Sequence, residues 1–333
     1  MVAKARGREL RLMSNASSGI EKKLDVLAIG NLTVDQIITV DKLPRIHFES
    51  NILKNQTSFG GRAPNVSVML ARMGFRTGIV SPVGKDFRCS GHLDHLLSYG
   101  VDIRGIVEIP DEDTMKTVIV TAQNGEQITF LETGAARHFE SMPLPMDLIE
   151  DTKIVHISSS CNCQFNILAA QKAKELGAIV SFDVGNDPAS QEREYQQEML
   201  ESVNMLFAND VEIVRILEML GRSSPADLLD SRSRIVVVIA KRDKASTIYS
   251  SREIVKIPSL MRRVLDPTGT SDAYVAGFLA GHLKNFGISS CGMLGAAESG
   301  FIAETVGCQT NMPTWEMIKF RAGVCEGQQI LAL

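Results

Sequence analysis

No apolar run in this 333-residue chain approaches the roughly 18 residues that a membrane-crossing helix needs, so no membrane span is expected. Charge of one sign is also missing: 35 Lys and Arg stand against 39 Asp and Glu, a formal net charge of -4, and no basic stripe is visible. A generic nucleic-acid binder needs a positive excess against phosphates, so that class is disfavoured. Six cysteines, at 89, 161, 163, 291, 308 and 325, are scattered without a C-x-x-C pair. That spacing argues against a structural zinc site and suits reduced, buried thiols in a cytoplasmic protein. No G-x-G-x-x-G follows an expected strand, which removes the main sign of a nicotinamide dehydrogenase. The stretch from Gly78 to Lys85 fails as a P-loop, because five residues separate its glycines and Asp86 stands where Ser or Thr is required. His92 and His95 lie three apart on an expected helix with no acidic or cysteine partner, and read as surface or packing residues.

What is present is ordinary for a soluble globular protein, with 44% hydrophobic and 22% charged residues. At this length one large α/β domain with a small appendage is expected. Residues 1–23 carry Lys4, Arg6, Arg8, Arg11, Lys22 and Lys23 among small polar side chains, without the apolar core of a secretory signal. They are expected to form a disordered basic leader before a domain over 24–333; a transit peptide shares the same look. The first strand is expected over Leu24–Gly30. Residues 36–58 alternate loosely and carry Pro44, and Ile103 to Leu131 reads as a hairpin turning at Asn124-Gly125. These two inserts are expected to pair as a small lid sheet. Residues 85–99 read as a helix closed by Gly100. From Lys153 onward strand and helix alternate through Ile154–Ser158, Ala178–Asp183, Met205–Asn209 and Ile235–Ala240, which predicts a right-handed, mostly parallel sheet covered by helices on both faces.

The stretch Asp266-Pro267-Thr268-Gly269-Thr270-Ser271-Asp272 fits a turn followed by a helix, since Ala276, Leu279, Ala280 and Leu283 recur at helical spacing. Unpaired amides at that helix start would suit a phosphate. Asp272 would repel a resting phosphate, so it makes chemical sense as a base that takes a proton from a hydroxyl attacking that phosphate. An acidic first turn that merely compensates the helix dipole is the plainer alternative. Asn31-Leu32-Thr33-Val34-Asp35 places a carboxylate beyond a strand end, where open sheets bind ligands, or simply ends a strand. Gly60-Gly61 allows close backbone approach ahead of a helix that carries Asn65 in its first turns. Asn209 and Glu212 straddle a strand end and a helix start. They read either as a capping pair or as a water-mediated hold on Mg²⁺ and phosphates.

Taken together, these segments resemble the ribokinase-like (PfkB) family of carbohydrate and nucleoside kinases over essentially everything from Leu24 onward. The stretch from Gly60 to Gly74 is similar to the family's N-terminal signature, and Asp266 to Tyr274 to its C-terminal one. Asn209-x-x-Glu212 looks like its magnesium and phosphate motif, and Val83-Gly84-Lys85-Asp86-Phe87 like a strand-end loop of the family. The resemblance implies a doubly wound α/β domain with a β lid, and transfer of a phosphoryl group from ATP to a hydroxymethyl group, with Mg²⁺ and, as a further candidate, a monovalent cation. Asp272 would be the base, with Gly269, Thr270 and Ser271 as an amide hole. Asp35, Gly60, Gly61 and Asn65 would hold sugar hydroxyls. Asn209, Glu212, Lys241 and Asp266 would serve nucleotide and phosphates, Glu212 reaching Mg²⁺ through water. A homodimer through the lid is expected as well.

Two departures stand out. Ser271 occupies a position that is usually glycine, where it would be strained at positive φ or would add a donor in helical geometry. Lys241 and Lys244 replace the glycines of a nucleotide-binding turn, either offering charge to ATP or forming a solvated hairpin. The expected acceptor is a ribose-containing nucleoside or a free sugar. A hexose or sugar phosphate is the alternative, with Arg62 and Arg137 as candidates for a second phosphate; a weakened nucleoside-binding homologue is a third reading.

Overall fold

Leu24–Ile29 (β1) is apolar on both faces and buried along its whole length, which places it inside a sheet covered on two sides. In the computed structural model, which describes residues 23–159, 163–185, 192–229, 234–239 and 245–325, that strand is one of nine in a large sheet. The chain continues through β2 (Thr33–Val40), β3 (Ile52–Gly60), α1 (Arg62–Arg72), β4 (Thr77–Gly84), α2 (His92–Ser98) and β5 (Asp102–Ile109). Next come β6 (Lys116–Ala122), β7 (Gln127–Glu132), a 3-10 segment over Gly134–Ser141, α3 (Met146–Glu150) and β8 (Thr152–Ser158). The alternating part runs α4 (Cys163–Glu175), β9 (Ile179–Asp183), α5 (Arg193–Ser202), β10 (Met205–Asn209), α6 (Asp210–Leu220) and β11 (Ile235–Ile239). It closes with β12 (Ser246–Tyr249), β13 (Ile254–Ile257), α7 (Thr270–Leu283), α8 (Ile288–Ala303) and α9 (Trp315–Ala322).

The large sheet has the order β13-β12-β11-β10-β9-β8-β1-β4-β5, parallel from β11 to β5 and antiparallel at the β11-β12-β13 end. Its strands send alternate residues to two cores. Leu206 and Ala208 of β10 join Val155, Val180 and Phe182 on one face, whereas Met205 and Phe207 meet Val237, Phe278 and Leu279 on the other. This is the doubly wound architecture that the strand-helix alternation predicts. Among the described residues no helix is long and apolar enough to cross a membrane.

Helix α7 is buried on every side over most of its length, not on one face as its Ala276/Leu279/Ala280 spacing suggests. It lies against α1, α8 and the sheet. A Cβ on Gly277 would come within 2.6 Å of the Leu294 carbonyl oxygen, so the α7–α8 crossing is set by backbone approach. That rigid packing fixes where the first turn of α7 points.

A separate four-stranded sheet, in the order β3-β2-β6-β7, forms the lid. Its hairpin is shorter than expected: Asp102–Ile109 is not part of it but the edge strand of the large sheet, paired parallel with β4. A β4-α2-β5 crossover explains this, and alternation alone cannot separate an edge strand of one sheet from a strand of another. Asp35, expected beyond the end of β1, lies there on lid strand β2, opposite Ser58 and Thr117. The helix expected over 85–99 is confined to His92–Ser98. The Asp86 carboxylate accepts from both the N–H and the hydroxyl of Thr114 at 2.7 Å, holding the preceding stretch as successive turns until Gly91 at φ 82° opens the helix.

Candidate active site

The turn before α7 is braced from within. Asp266 is buried, and its carboxylate accepts from the N–H of Thr268 at 2.9 Å and of Gly307 at 3.0 Å. Asp266, expected to serve phosphates, is therefore engaged by backbone. Gly269 follows at φ 77°, in the left-handed region, and a Cβ there would lie 2.8 Å from the Cys308 sulfur. No side chain caps the first turn of α7, so the site keeps helix-start N–H groups facing outward. Ser271 sits in regular helix. Among the described residues only His47 and Asn285 combine a side chain with positive φ, so the strain weighed for Ser271 is absent.

Asp272, in that first turn, is 7% exposed and accepts from Asn65 Nδ2 at 2.7 Å. Its surroundings are rich in charge. Burial pushes its carboxyl up to about 7; Arg62 and the Asn65 hydrogen bond pull against this, while Asp183 and Asp35 add to it. Arg62, at the start of α1, pairs with Asp183, at the end of β9, across 3.1 Å. Asp35 is buried too, at about 6 through loss of water, opposed by hydrogen bonds from Thr33 and Thr117. Thr33 Oγ1 donates to Asp35 at 2.6 Å.

The glycine pair is explained by this carboxylate. A Cβ on Gly60 would lie 2.0 Å from Asp35 Oδ2, and Gly61, at φ 100°, would drive one into the Asn31 carbonyl at 2.3 Å. Either side chain would displace the carboxylate or the turn. Asp35, Gly60, Gly61 and Asn65 thus gather at the lid side of Asp272.

Beside Ser271 lies a cleft of ≈ 170 Å³ whose walls also include Arg62, Asp183, Asn209 and Glu212. Asn209 and Glu212 form a reciprocal capping box: Asn209 Oδ1 accepts from the N–H of Val211 and of Glu212, and Glu212 Oε2 accepts from Asn209 N–H at 2.8 Å. The capping reading of this pair is thus observed, and the cap itself forms a wall of the cleft. No group of three or more His, Cys, Asp or Glu among the described residues could hold a metal ion by itself. The donor set nevertheless fits Mg²⁺, which takes only one or two carboxylates and keeps several waters. Lys241 lies outside the described residues, as do Lys244, Cys161 and most of the leader.

Two residues at the centre were not legible in the sequence. Gln309, in the segment after α8, donates to Asn65 Oδ1 at 2.8 Å. His95, read as a surface or packing residue, reaches Gln309 Oε1 from Nε2 at 2.6 Å, and its neighbour His92 is buried against the Thr33 carbonyl. Neither carries a motif, and only the tertiary fold brings them to the site.

The sequence profile described as pfkB family carbohydrate kinase matches residues 23–315. A nucleoside kinase of Methanothermobacter thermautotrophicus is 35% identical over 297 residues, 89% of this chain and 94% of that protein. The nucleoside kinase of Methanocaldococcus jannaschii is 33% identical over 88% of this chain and 95% of its own, and its crystal structure superposes with a TM-score of 0.82, covering 90% of this chain and 99% of that one. A Burkholderia thailandensis nucleoside kinase in complex with inosine shares the fold at 22% identity and a TM-score of 0.77, over 89% and 96% of the two chains.

The burial of Asp272 has a consequence for stability. Its carboxyl is protonated more readily in the folded chain, at about 7, than in the unfolded one, so folding loses stability as pH rises from the ordinary carboxylate range through 7. Asp272→Asn should therefore raise Tm at pH 8 and leave it nearly unchanged near pH 4. Thermal unfolding at the two pH values measures this, and a lower Tm for the variant at pH 8 would mean that the ionised carboxylate is a net favourable partner.

Proposed function

The chain belongs to the pfkB family of carbohydrate kinases and is on that footing an ATP-dependent nucleoside or sugar kinase, and we propose that its acceptor is the hydroxymethyl group of a ribose-containing nucleoside. The observation that carries the site assignment is the buried Asp272 carboxylate between two sets of groups: Asp35, Gly60 and Gly61 towards the lid, and Arg62, Asn209, Glu212 and Ser271 around the cleft. The nucleoside preference is supported by the two relatives at 33% and 35% identity.

In this reading Asp35 accepts from sugar hydroxyls, while Asn65 and Asp272 meet the hydroxymethyl oxygen. That oxygen forms its bond to the γ-phosphorus as the bond from phosphorus to the ADP oxygen breaks, and the hydroxyl proton passes to Asp272. With its carboxyl held at about 7, Asp272 matches the range in which a general base works best. In this reading the amides of Gly269, Ser271 and Asp272 face the charge that develops on phosphorus, while that of Thr270 is turned back to the Pro267 carbonyl at 3.3 Å. Arg62 supplies positive charge beside the same cleft. Glu212 and Asn209 would hold Mg²⁺ through water, and the ion when bound would neutralise charge on the nucleotide phosphates.

The sugar-phosphate alternative loses support from its own candidates. Arg137 donates to the Gly134 carbonyl at 3.0 Å and lies 3.5 Å from Glu112, while Arg62 is paired with Asp183. Ordinary helical geometry at Ser271 likewise removes one support from the weakened-homologue reading. A cytoplasmic setting belongs to the proposal, supported by free thiols at Cys89, Cys163, Cys291, Cys308 and Cys325. So does a homodimer through the lid. The lid's outer face places Ile38, Val118, Val120, Ile128 and Phe130 in register, and Phe130 is 57% exposed, an apolar surface of the kind a second copy covers.

Four outcomes test this reading. ADP release from ATP and Mg²⁺ across a panel of nucleosides and sugars should be fastest with a ribonucleoside, and Asp272→Asn should lower kcat at least ~100-fold; rates within about threefold of the parent would make Asp272 a helix cap only. Asp35→Ala should raise the acceptor KM strongly and leave the ATP KM unchanged, since charge-assisted hydrogen bonds of about 1.5 to 3 kcal/mol each are removed. Light scattering should give twice the chain mass for the parent and one chain mass for Phe130→Lys, and a monomeric parent at micromolar concentration would eliminate the lid dimer.

A further inference from the structure

Behind Asp272 runs a chain of side-chain hydrogen bonds that crosses four parts of the fold. Asn65 on α1 donates from Nδ2 to Asp272 on α7 at 2.7 Å, and its Oδ1 accepts from Gln309 Nε2 at 2.8 Å. Gln309, in the segment after α8, accepts on Oε1 from His95 Nε2 of α2 at 2.6 Å. The His95 ring in turn stacks on Phe59 of lid strand β3, with centroids 4.0 Å apart and planes at 21°, and the next residue is Gly60. Asn65 and Gln309 are buried, so water does not readily substitute for either partner.

The direction of this chain follows from its two ends. An ionised carboxylate only accepts, so Asn65 presents its NH₂ to Asp272 and its carbonyl to Gln309. Gln309 then presents its own NH₂ to Asn65, leaving its carbonyl for a proton on His95 Nε2. Burial lowers the affinity of His95 for a second proton, but both the neutral Nε2–H form and the imidazolium donate from that atom. The polarity therefore does not depend on the charge of His95. To reverse it, Asp272 would have to be protonated, both amides rotated by half a turn, and the neutral His95 proton moved to Nδ1. Four groups would change together.

We infer that Gln309 and His95 are positioning residues that lock the Asn65 amide, so that its second N–H and the Asp272 carboxylate hold one acceptor hydroxyl between them. The hydroxyl oxygen accepts from Asn65 while its proton faces Asp272. Without Gln309, protonation of Asp272 would let the Asn65 amide turn its carbonyl oxygen towards that hydroxyl and point the proton away from the base. The stacking of His95 on Phe59 extends the same lock to the lid strand that ends in Gly60, so the acceptor side and the base are held by one network. The identity of the hydroxyl rests on the kinase reading above; the lock on Asp272 does not.

The test uses Gln309→Met, which keeps volume and removes both hydrogen bonds, Gln309→Glu, which sets an acceptor-only group against Asn65 Oδ1, and the pair His95→Gln and His95→Leu. Gln309→Met should lower kcat about tenfold or more with the ATP KM unchanged, and Gln309→Glu should lower it further. His95→Gln, whose amide N–H can replace Nε2–H, should stay within about threefold of the parent, whereas His95→Leu should follow Gln309→Met. A purely packing role would instead lower Tm in all four and leave kcat per active site alone.

A second readout needs no turnover. The Asp272 carboxyl, followed by ¹³C NMR, should titrate at higher pH in Gln309→Met than in the parent, because the Asn65 donation that favours the ionised form is loosened. Arg62 on α1, Asp183 on β9, Asp35 on β2 and Cys308 after α8 also face Asp272 and are unchanged in the variant, so the shift reports the relay. An unchanged midpoint together with parental kcat overturns the inference. A raised midpoint in a protein that phosphorylates no nucleoside or sugar upholds the relay and sinks the kinase reading. If Gln309→Met does not fold, His95→Leu carries the same two measurements.

Discussion

Two buried carboxylates, Asp35 and Asp183, act on a third, Asp272, with the Arg62 guanidinium beside Asp183 as counter-charge, and most of the site's geometry answers to that crowding. Each acid resists ionisation when dehydrated, and each raises the cost of ionising its neighbours. The chain relieves the conflict unequally. Asp183 has the direct ion pair with Arg62, Asp35 has two hydroxyl donors, and Asp272 has a single amide donor with Arg62 acting from farther away. Asp272, with fewer hydrogen-bond donors than Asp35, is pushed higher, to about 7 against about 6, which suits a base for a hydroxyl.

That balance survives only if the backbone around it is rigid. Asp266 fixes the turn before α7 through two N–H groups, Gly277 lets α7 and α8 meet backbone to backbone, and the capping box of Asn209 and Glu212 fixes the opposite wall. None of these contacts touches a reacting atom. They convert a flexible set of polar side chains into one with a single arrangement, and catalysis by positioning depends on that.

Much of this was legible in the sequence because it was local. Strand-helix alternation after Lys153 gave the parallel sheet, the motif stretches marked Asp272, Asn65 and Glu212, and Gly60-Gly61 announced a close approach. What escaped was tertiary. Asp102–Ile109 alternates like any half-buried strand, and nothing in its residues says which sheet it joins. The helix expected from residue 85 was prevented by Asp86 binding Thr114, 28 positions away. His95 and Gln309 lie 214 residues apart, and only the docking of α2 against the segment after α8 makes them partners. Asp266 was assigned to phosphate from its place in a motif, whereas its two oxygens hold the turn that presents the motif.

The approach of Gly60 to Asp35 also limits how such a sequence can change over generations. With no room for even a methyl group beside Oδ2, a side chain at position 60 requires the Asp35 carboxylate to swing away or be lost, and either change would disturb the hydroxyl acceptor proposed at Asp35. The two positions are therefore coupled, and a change at one is felt at the other. Acceptor preference in this chain should therefore drift through the lid residues around the pair, such as Thr117 and Ser58, whose register beside Asp35 permits gradual exchange.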